Sequence, residues 1–428
     1  MQKMEKSKNY ALPIAMMFCL FAMISFVTGF QNPFGVIVKN QFEVSNFMSQ
    51  LGNFANFIAY AFMGIPAGIM LKKIGYKKTA LWAIVVGFTG VLVMFLSGVI
   101  ESFAIYLTGA FIAGFSMCML NTVVNPMLNT LGGGGKKGNQ LIQFGGACNS
   151  IAATIVPVLV GYLMGDVSKA TIKDGNPALF IAMGIFALVF IVLSFVSIPE
   201  PYVEKDDNKK DAYGPMSFRH FRLGIIAIFV YVGVEVAIPS IANLYMTEPQ
   251  ELGGLGLSAA VAGTLVGTYW FLMFVGRLIG GVIGGKVSPK GMLGFVLGLA
   301  ALFILLAILL PNDILVKMPV FRADISFGLE SVPLPVMFLI LCGLCTSVMW
   351  GGIFNLAVEG LGKYTAIASG IFMVMVCGGG IIPPVQGWIA DLTSNYIASY
   401  WIIFAGIVYM LYYALIGSKN VNKDIPVD

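Results

Sequence analysis

Twelve apolar runs follow one another along the chain, and each is long enough to cross a lipid bilayer as a helix. A transmembrane helix needs about 20 such residues to cross about 30 Å of hydrocarbon. Charged residues make up only 11% of the chain, against about a quarter in soluble domains. The sequence therefore predicts an all-α membrane protein with twelve transmembrane helices and argues against a soluble enzyme. The runs, named spans 1 to 12 below, lie near residues 11–38, 46–71, 79–98, 103–130, 139–164, 178–198, 222–247, 257–283, 290–310, 333–360, 364–390 and 394–416.

The distribution of basic residues predicts the orientation of the chain. Placing the N-terminus in the cytoplasm puts 19 of the 25 Lys and Arg residues on the cytoplasmic side. The opposite side then receives Lys39, Lys169, Lys173, Lys317 and Arg322. Because cationic residues in short loops concentrate on the cytoplasmic side, we expect an inner-membrane protein with both termini in the cytoplasm. The net charge of +5 is then a signal of topology, and no nucleic-acid partner is expected.

A charged linker divides the chain into two halves of six spans each. The linker, from Pro199 to Arg222, lacks apolar periodicity and is typical of a solvated loop. The halves share three short matches in the same order: Gly68–Lys78 with Gly281–Lys290, Asn125–Gly132 with Asn355–Gly362, and Pro157–Tyr162 with Pro383–Trp388. Such internal repeats predict two pseudo-symmetric six-helix bundles. The predicted units are a first bundle at 1–198, a cytoplasmic linker at 199–221 and a second bundle at 222–428.

Glu235 is the one acidic residue that the sequence places deep within a span. The other 19 of the 20 Asp and Glu residues fall in tails, loops or span ends. A carboxylate at that depth must face an aqueous cavity, pair with a cation or stay protonated. Pro239, four residues later, cannot donate a hydrogen bond to the carbonyl of Glu235 and is expected to kink span 7. We favour a cavity-facing Glu235 that binds substrate or the coupling cation, with a helix–helix hydrogen bond as the alternative.

Span 4 carries three asparagines on one helical stripe. Asn121, Asn125 and Asn129 recur at every fourth residue of an otherwise apolar helix, so their amides stack on one face. Amides offer both donors and acceptors, which suits a polyhydroxylated ligand. The alternative is that the amides join helices within the bundle, as Asn does in other membrane proteins.

Further polar and aromatic residues of the spans complete the predicted substrate site. Amides in other spans extend the polar lining, and a Trp ring can stack on the apolar face of a sugar, although most such aromatics are core residues. With Asn121, Asn125 and Glu235, the predicted substrate-binding residues are Asn32, Gln143, Asn149, Asn243, Trp350, Asn355 and Gln386.

Two basic residues are predicted to act in gating. Arg277 lies toward the cytoplasmic end of span 8, where it could reach lipid headgroups or hold a gate contact. Lys73 follows span 2 in the first of the repeated loop sequences.

The sequence predicts no cofactor and no metal site. All six cysteines lie within apolar spans, and the sole histidine, His220, lies in a basic loop. No Walker motif is present, so ATP is not expected to drive this protein. An embedded enzyme would need convergent acid, base or metal ligands, and the spans carry no such cluster.

Several segments resemble the fucose:proton symporter family of the major facilitator superfamily. They are Leu120–Pro126, Gly64–Gly68, Tyr231–Ile238, Gly378–Pro383 and Gln386–Gly387. That family includes bacterial fucose permeases and glucose/galactose transporters. The resemblance implies the major facilitator fold, in which two parallel six-span bundles rock about a central site.

The resemblance also shows departures from the fucose permeases. Those proteins carry an Asp in span 1 and a Glu in span 4 for proton coupling and sugar binding, at positions that correspond here to Asn32 and Asn121. Neither amide titrates, so the fucose permease mechanism does not transfer, and Glu235 resembles the span 7 Glu of the hexose transporters instead.

The expected function is import of a monosaccharide (a hexose, fucose or an amino sugar) by alternating access, coupled to a proton or sodium ion. The alternatives are a sugar uniporter and an exporter of amphipathic drugs or lipids. The expected partners are the sugar, the coupling ion and membrane lipids, with the protein acting as a monomer.

Overall fold

The structure is a computed structural model that describes residues 10–43, 51–164, 171–200, 213–322 and 325–427. The helices of the first half follow the predicted spans closely. Spans 2 and 3 form one continuous helical run that is interrupted only at Gly75. The helices are Ala11–Gln41 (span 1), Leu51–Ile100 (spans 2 and 3), Phe103–Leu131 (span 4), Gly135–Met164 (span 5) and Asn176–Phe195 (span 6), with a short 3₁₀ turn at Ile172–Gly175.

In the second half, the helices of spans 10 and 11 are each interrupted near the middle of the span. Span 10 is built from two helices separated by Ser347 and Val348, and span 11 from two helices joined by a 3₁₀ turn at Met375–Cys377. Span 12 ends in a single π-helical turn at Tyr413–Gly417. The helices are Arg219–Thr247 (span 7), Ala259–Gly284 (span 8), Pro289–Leu309 (span 9), Leu334–Thr346 and Met349–Val358 (span 10), Thr365–Val374 and Gly378–Thr393 (span 11) and Tyr400–Tyr412 (span 12).

The lengths of these helices account for twelve crossings. Among the described residues, nine helical segments are long and apolar enough to span a membrane, and one of them, Phe54–Ile100, contains both span 2 and span 3. Spans 1 and 5 are helices of 31 and 30 residues. The predicted twelve-helix membrane fold is therefore confirmed, whereas the exact limits of the two bundles stay a prediction.

The loop between spans 2 and 3 is held by a carboxylate from the end of span 6. Gly75 has φ +86°, a conformation that glycine adopts without the steric cost of a side chain. The backbone N–H groups of Tyr76 and Lys77 donate to the Glu200 carboxylate at 2.6 and 3.0 Å. The Lys77 ammonium donates to the carbonyl of Ser194 at 2.8 Å. These bonds join the first repeated loop to span 6.

At the opposite end of the first half, an ion pair joins two loops. The Lys173 ammonium lies 2.8 Å from the Glu101 carboxylate, and both side chains are exposed. This hydrogen bond and the charge of Lys173 hold the pKa of Glu101 below its usual range. Because water screens exposed pairs, the contribution of this one to stability is small.

The sequence predicts an all-α protein, but a β-hairpin lies between spans 9 and 10. Strand β1 (Leu315–Phe321) pairs antiparallel with strand β2 (Phe327–Pro333). The hairpin packs on span 8, since the ring of Phe321 stacks on Phe271 at 4.5 Å and the Phe321 N–H donates to Thr268. Pro319 lies within β1. Because proline has no N–H to donate to a neighbouring strand, its presence argues against predicting a strand here from the sequence.

Small residues bring the two halves into close contact at spans 2 and 11. A Cβ added at Gly370 would lie 2.7 Å from the Cα of Gly68 and would also collide with the carbonyl of Gly64. Helices of membrane proteins approach closely where such residues face each other. Span 5 packs on span 8 in the corresponding position on the other side of the molecule.

Candidate functional site

Glu235 forms an ion pair with Arg277 inside the protein. The Arg277 Nη2 lies 3.4 Å from the Glu235 Oε1, and the two side chains are only 12% and 14% exposed. A buried carboxylate is costly unless a cation and further hydrogen bonds compensate it. Of the three environments that the sequence allows for Glu235, the structure shows pairing with a cation.

Arg277 also contacts the first half of the chain. Its Nη1 donates to the hydroxyl of Ser150 at 2.7 Å and to the carbonyl of Gly146 at 3.2 Å, and it lies 3.5 Å from the amide oxygen of Asn149. Its Nε lies 3.4 Å from the carbonyl of Ser347 in the break of span 10. From the sequence, Arg277 is predicted to act in gating. The structure shows that it pairs with Glu235, and its gating role stays a prediction.

The backbone carbonyl that Pro239 leaves without a helical donor has found another partner. The Tyr269 hydroxyl on span 8 lies 3.1 Å from the Glu235 carbonyl and 3.1 Å from the Thr346 hydroxyl. The helix runs on through Pro239 to Thr247. Tyr269 is not among the residues predicted from the sequence, although Pro239, four residues after Glu235, was a signal that the Glu235 carbonyl needed another donor.

Asn121 and Asn125 of span 4 are buried and hydrogen-bonded to each other. The Asn125 amide donates to the carbonyl of Asn121 at 2.9 Å, and the Asn121 amide donates to the Tyr60 hydroxyl at 2.9 Å. The Asn125 Oδ1 accepts a hydrogen bond from the Trp350 indole N–H at 2.9 Å. In this conformation the stripe therefore joins span 4 to span 10, as the alternative of bonding between helices requires.

Trp350 connects the amide stripe to the ion pair. Its ring contacts Tyr231, which precedes Glu235 by one helical turn, at 6.3 Å between centroids, and Phe372 at 6.0 Å. The Tyr231 hydroxyl is buried and lies beside the side chains of Glu235 and Arg277. We name this group the central cluster; it consists of Asn121, Asn125, Tyr231, Glu235, Arg277 and Trp350.

Other predicted residues join the halves beside the central cluster. Gln143 donates to the carbonyl of Val348 at 3.0 Å, in the break of span 10. Asn355 donates to Asn129 at 2.7 Å, one turn beyond Asn125 on span 4. Asn149 instead donates to the carbonyl of Phe21 on span 1 at 3.0 Å, a contact within the first half.

Four predicted residues lie outside these contacts. Gln386 is fully buried at the junction of spans 11 and 12, where it donates to the Ser399 hydroxyl at 3.1 Å, so the structure does not bring it to the central cluster. Asn243 is half-buried two turns beyond Glu235, and Lys73 is exposed. The side chain of Asn32 lies outside the described residues.

Three hydroxyl groups of the site were missed by sequence reasoning. Ser150, Tyr60 and Tyr231 bond to or surround the predicted residues. Ser150 directly follows Asn149, and two adjacent polar residues within an apolar run were a usable signal. Within the described residues no group of three or more His, Cys, Asp or Glu side chains is placed to hold a metal ion.

Fold and site together define a helical membrane protein whose two halves meet at a buried polar cluster. Residues 17–384 match the family model described as Major Facilitator Superfamily, which is most of the 428-residue chain. The chain therefore belongs to the Major Facilitator Superfamily. The members of this family are transporters, so the protein is a membrane transporter and not an enzyme.

Curated relatives match nearly the whole chain. A glucose/galactose transporter of Brucella abortus biovar 1 (strain 9-941) is 28% identical over 424 residues, covering 97% of this chain and 96% of that protein. The L-fucose-proton symporter of Escherichia coli (strain K12) is 25% identical over 417 residues, covering 91% and 89%. These are the two kinds of relative that the motif resemblance led us to expect, and that resemblance is confirmed.

Solved structures confirm the fold. The transporter FucP in the outward conformation superposes with a TM-score of 0.81 at 21% identity, covering 96% of this chain and 100% of that one. The proton:xylose symporter XylE superposes with a TM-score of 0.67 at 13% identity, covering 94% of both chains. At these identities the likeness establishes the shared architecture.

Proposed function

We propose that the protein imports a monosaccharide (a hexose, fucose or an amino sugar) by alternating access, together with a proton. The observation that carries this proposal is the central cluster, in which a carboxylate, two amides and an indole lie buried where the two halves meet. A carrier that alternates between the two sides needs its binding groups at that contact.

The chemistry of the central cluster supports a neutral, polyhydroxylated substrate. Asn121 and Asn125 present amide donors and acceptors without a net charge. Trp350 adds a large apolar ring next to them. The bond between Trp350 and Asn125 joins span 10 to span 4, so a sugar that inserts between the two would replace this hydrogen bond with bonds of its own. The names of the curated relatives agree with a sugar.

The surroundings of Glu235 support a proton over a sodium ion. A sodium ion bound to the Glu235 carboxylate would lie next to the positive charge of Arg277, 3.4 Å from that carboxylate, and like charges repel strongly at low dielectric. A proton neutralises the carboxylate and needs no cage of oxygen ligands. Glu235 is therefore the proposed proton site, and Asn32 and Asn121 cannot serve as one.

Contacts between spans 5 and 8 indicate which side is closed. From Arg277 toward the basic loops, Gln140 donates to the carbonyl of Gly281 at 2.9 Å, and Lys136 donates to the carbonyl of Lys286 at 2.9 Å. In the proposed cycle these contacts close the cytoplasmic side and break when the halves rock. Arg277 belongs to this gate; Lys73, at the end of span 2, is proposed to act in it as well.

The proposal includes orientation and assembly. The excess of Lys and Arg in the loops that follow spans 2, 4 and 8 supports an inner-membrane location with both termini in the cytoplasm. The bundles 1–198 and 222–428 would move as two bodies linked by 199–221. Since one chain supplies all groups of the central cluster, a monomer suffices for transport.

The test is uptake by purified protein in liposomes. Labelled glucose, galactose, fucose and glucosamine are offered separately, each with an imposed proton gradient, an imposed sodium gradient or no gradient. We expect concentrative uptake of at least one sugar under the proton gradient only. Uptake that only equilibrates would make the protein a uniporter, and no uptake of any sugar would refute the proposed function.

A further inference from the structure

One side chain, Arg277, contacts both the proposed proton site and the opposite half of the protein. It reaches Glu235 on span 7 at 3.4 Å and Ser150 on span 5 at 2.7 Å. Spans 5 and 7 belong to different halves. The guanidinium group is therefore shared between a carboxylate of its own half and the neutral oxygens of the other half.

Protonation of Glu235 would change how this guanidinium is shared. A guanidinium group keeps its positive charge at physiological pH because it is not deprotonated in proteins. When Glu235 is ionised, the carboxylate compensates much of that charge. When Glu235 is neutral, the buried guanidinium depends on the remaining acceptors, which are the Ser150 hydroxyl, the carbonyls of Gly146 and Ser347, and the Asn149 amide oxygen. Three of these four acceptors lie on span 5.

We propose that Arg277 is a positioning residue that keeps the cytoplasmic side closed while Glu235 carries a proton and no sugar is bound. This inference rests on the proposed function. A proton symporter must prevent its proton-loaded, sugar-free form from changing sides, because that form would carry protons without substrate. Loading the proton strengthens the hold of Arg277 on span 5, and binding of the sugar at the central cluster supplies the energy that releases it.

The other titratable groups around the pair are two phenols and a thiol. Tyr231 on span 7 lies beside Glu235 and Arg277, and Tyr269 on span 8 bonds to the Glu235 carbonyl. Cys342 on span 10 lies behind Tyr269. On span 5 the groups that face Arg277 are Gly146, Asn149 and Ser150, which do not titrate. Among the described residues around the pair, Glu235 is thus the one carboxyl group, and it is the group that the proposed cycle protonates.

The experiment removes the shortest contact of Arg277 with span 5 and leaves the ion pair in place. Proteoliposomes that contain Ser150→Ala receive an inside-negative potential without sugar, and a trapped pH dye reports proton entry. We expect sugar-independent proton entry about tenfold above wild type, from the loss of one hydrogen bond to a charged group. Ser150→Thr restores the hydroxyl and should return the leak to the wild-type level.

The matched control is Thr154→Ala, one turn further along span 5. Among the described residues, the Thr154 hydroxyl bonds to the carbonyl of Ser150 in its own helix, so we expect no leak from this variant. A second arm combines Ser150→Ala with Glu235→Gln, which removes the titrating group. If Glu235 carries the leaking protons, the rate of proton entry through Ser150→Ala saturates as the external pH falls. No leak is then expected when Ser150→Ala is combined with Glu235→Gln.

Two results would overturn the inference. Proton entry through Ser150→Ala at the wild-type level would show that the contact does not restrain the proton-loaded form. A leak that persists in the double variant would show general loosening of the fold. Sugar-coupled proton entry by wild-type protein in the same vesicles tests the proposed function separately, so failure of the two ideas can be told apart.

Discussion

At the scale of single residues, burial decides what Glu235 can do. The sequence identifies this residue because a lone carboxylate in an apolar helix stands out. It does not identify the partner, since Arg277 lies 42 residues away on another span and only the packing of spans 7 and 8 brings the two together. The same holds for Trp350 and Asn125, which are 225 residues apart. The candidate residues could be predicted because polar side chains are costly in hydrocarbon. Their pairing could not be predicted, because it depends on how the spans pack.

Replacing Asn125 tests whether the amide stripe binds sugar or only joins helices. We expect Asn125→Ala to raise the half-saturating sugar concentration in counterflow about tenfold, because one or two hydrogen bonds to the substrate are lost. The control is Thr122→Val on the same helix, whose hydroxyl donates to the carbonyl of Cys118 in its own helix. An unchanged half-saturating concentration in Asn125→Ala would restrict the stripe to a structural role.

At the scale of helices and strands, the apolar runs predicted the spans well and their interruptions poorly. Span 10 breaks around Ser347 and Val348, where the Gln143 amide donates to the carbonyl of Val348 and the Arg277 Nε lies 3.4 Å from the carbonyl of Ser347. A break of this kind depends on donors from other helices, so local sequence does not show it. Span 12 starts at Tyr400 instead of near residue 394 because Asn395 caps a turn through the N–H of Ala398.

The junction of spans 2 and 3 gives a prediction about stability. We expect Gly75→Ala to destabilise the protein by about 1–2 kcal/mol, since a residue with a Cβ is strained at positive φ, and the added carbon would also push the Glu200 carboxylate away. Thermal melting in detergent measures the effect.

The matched control for this substitution is Gly184→Ala in span 6, where an added Cβ meets no atom within 4 Å. This variant should melt at or slightly above the wild-type temperature, because alanine favours a helix. Equal melting temperatures for Gly75→Ala and Gly184→Ala would contradict the proposed role of the Gly75 turn.

At the scale of the whole molecule, the contact between the halves sets the conformation. The repeated loops, the central linker and the motif resemblance were enough to predict the fold. They were not enough to predict which side is closed, because that depends on contacts such as Gln140 with Gly281 and Gly64 with Gly370. A sequence that serves a carrier must be compatible with both states, so it cannot favour one of them strongly.

The close approach of spans 2 and 11 can be blocked by one side chain. We expect Gly370→Leu to prevent closure on the cytoplasmic side and to increase hydrogen–deuterium exchange in the cytoplasmic ends of spans 5 and 8. Sugar transport should fall with it, because one of the two states becomes inaccessible.

Gly298→Leu on span 9 is the control for bulk alone, since a Cβ at Gly298 meets no atom within 4 Å. Its exchange pattern should match that of wild type. If Gly370→Leu also left exchange at spans 5 and 8 unchanged, the contact between spans 2 and 11 would not control closure.

The most direct test of proton-coupled sugar transport through Glu235 is the movement of protons caused by sugar alone. Sugar is added to proteoliposomes without any imposed gradient, and an electrode follows the pH of the outer medium. We predict that the medium becomes alkaline with wild-type protein and does not change with Glu235→Gln, while the variant still exchanges labelled sugar across the membrane. Sugar-driven alkalinisation by Glu235→Gln would contradict the account.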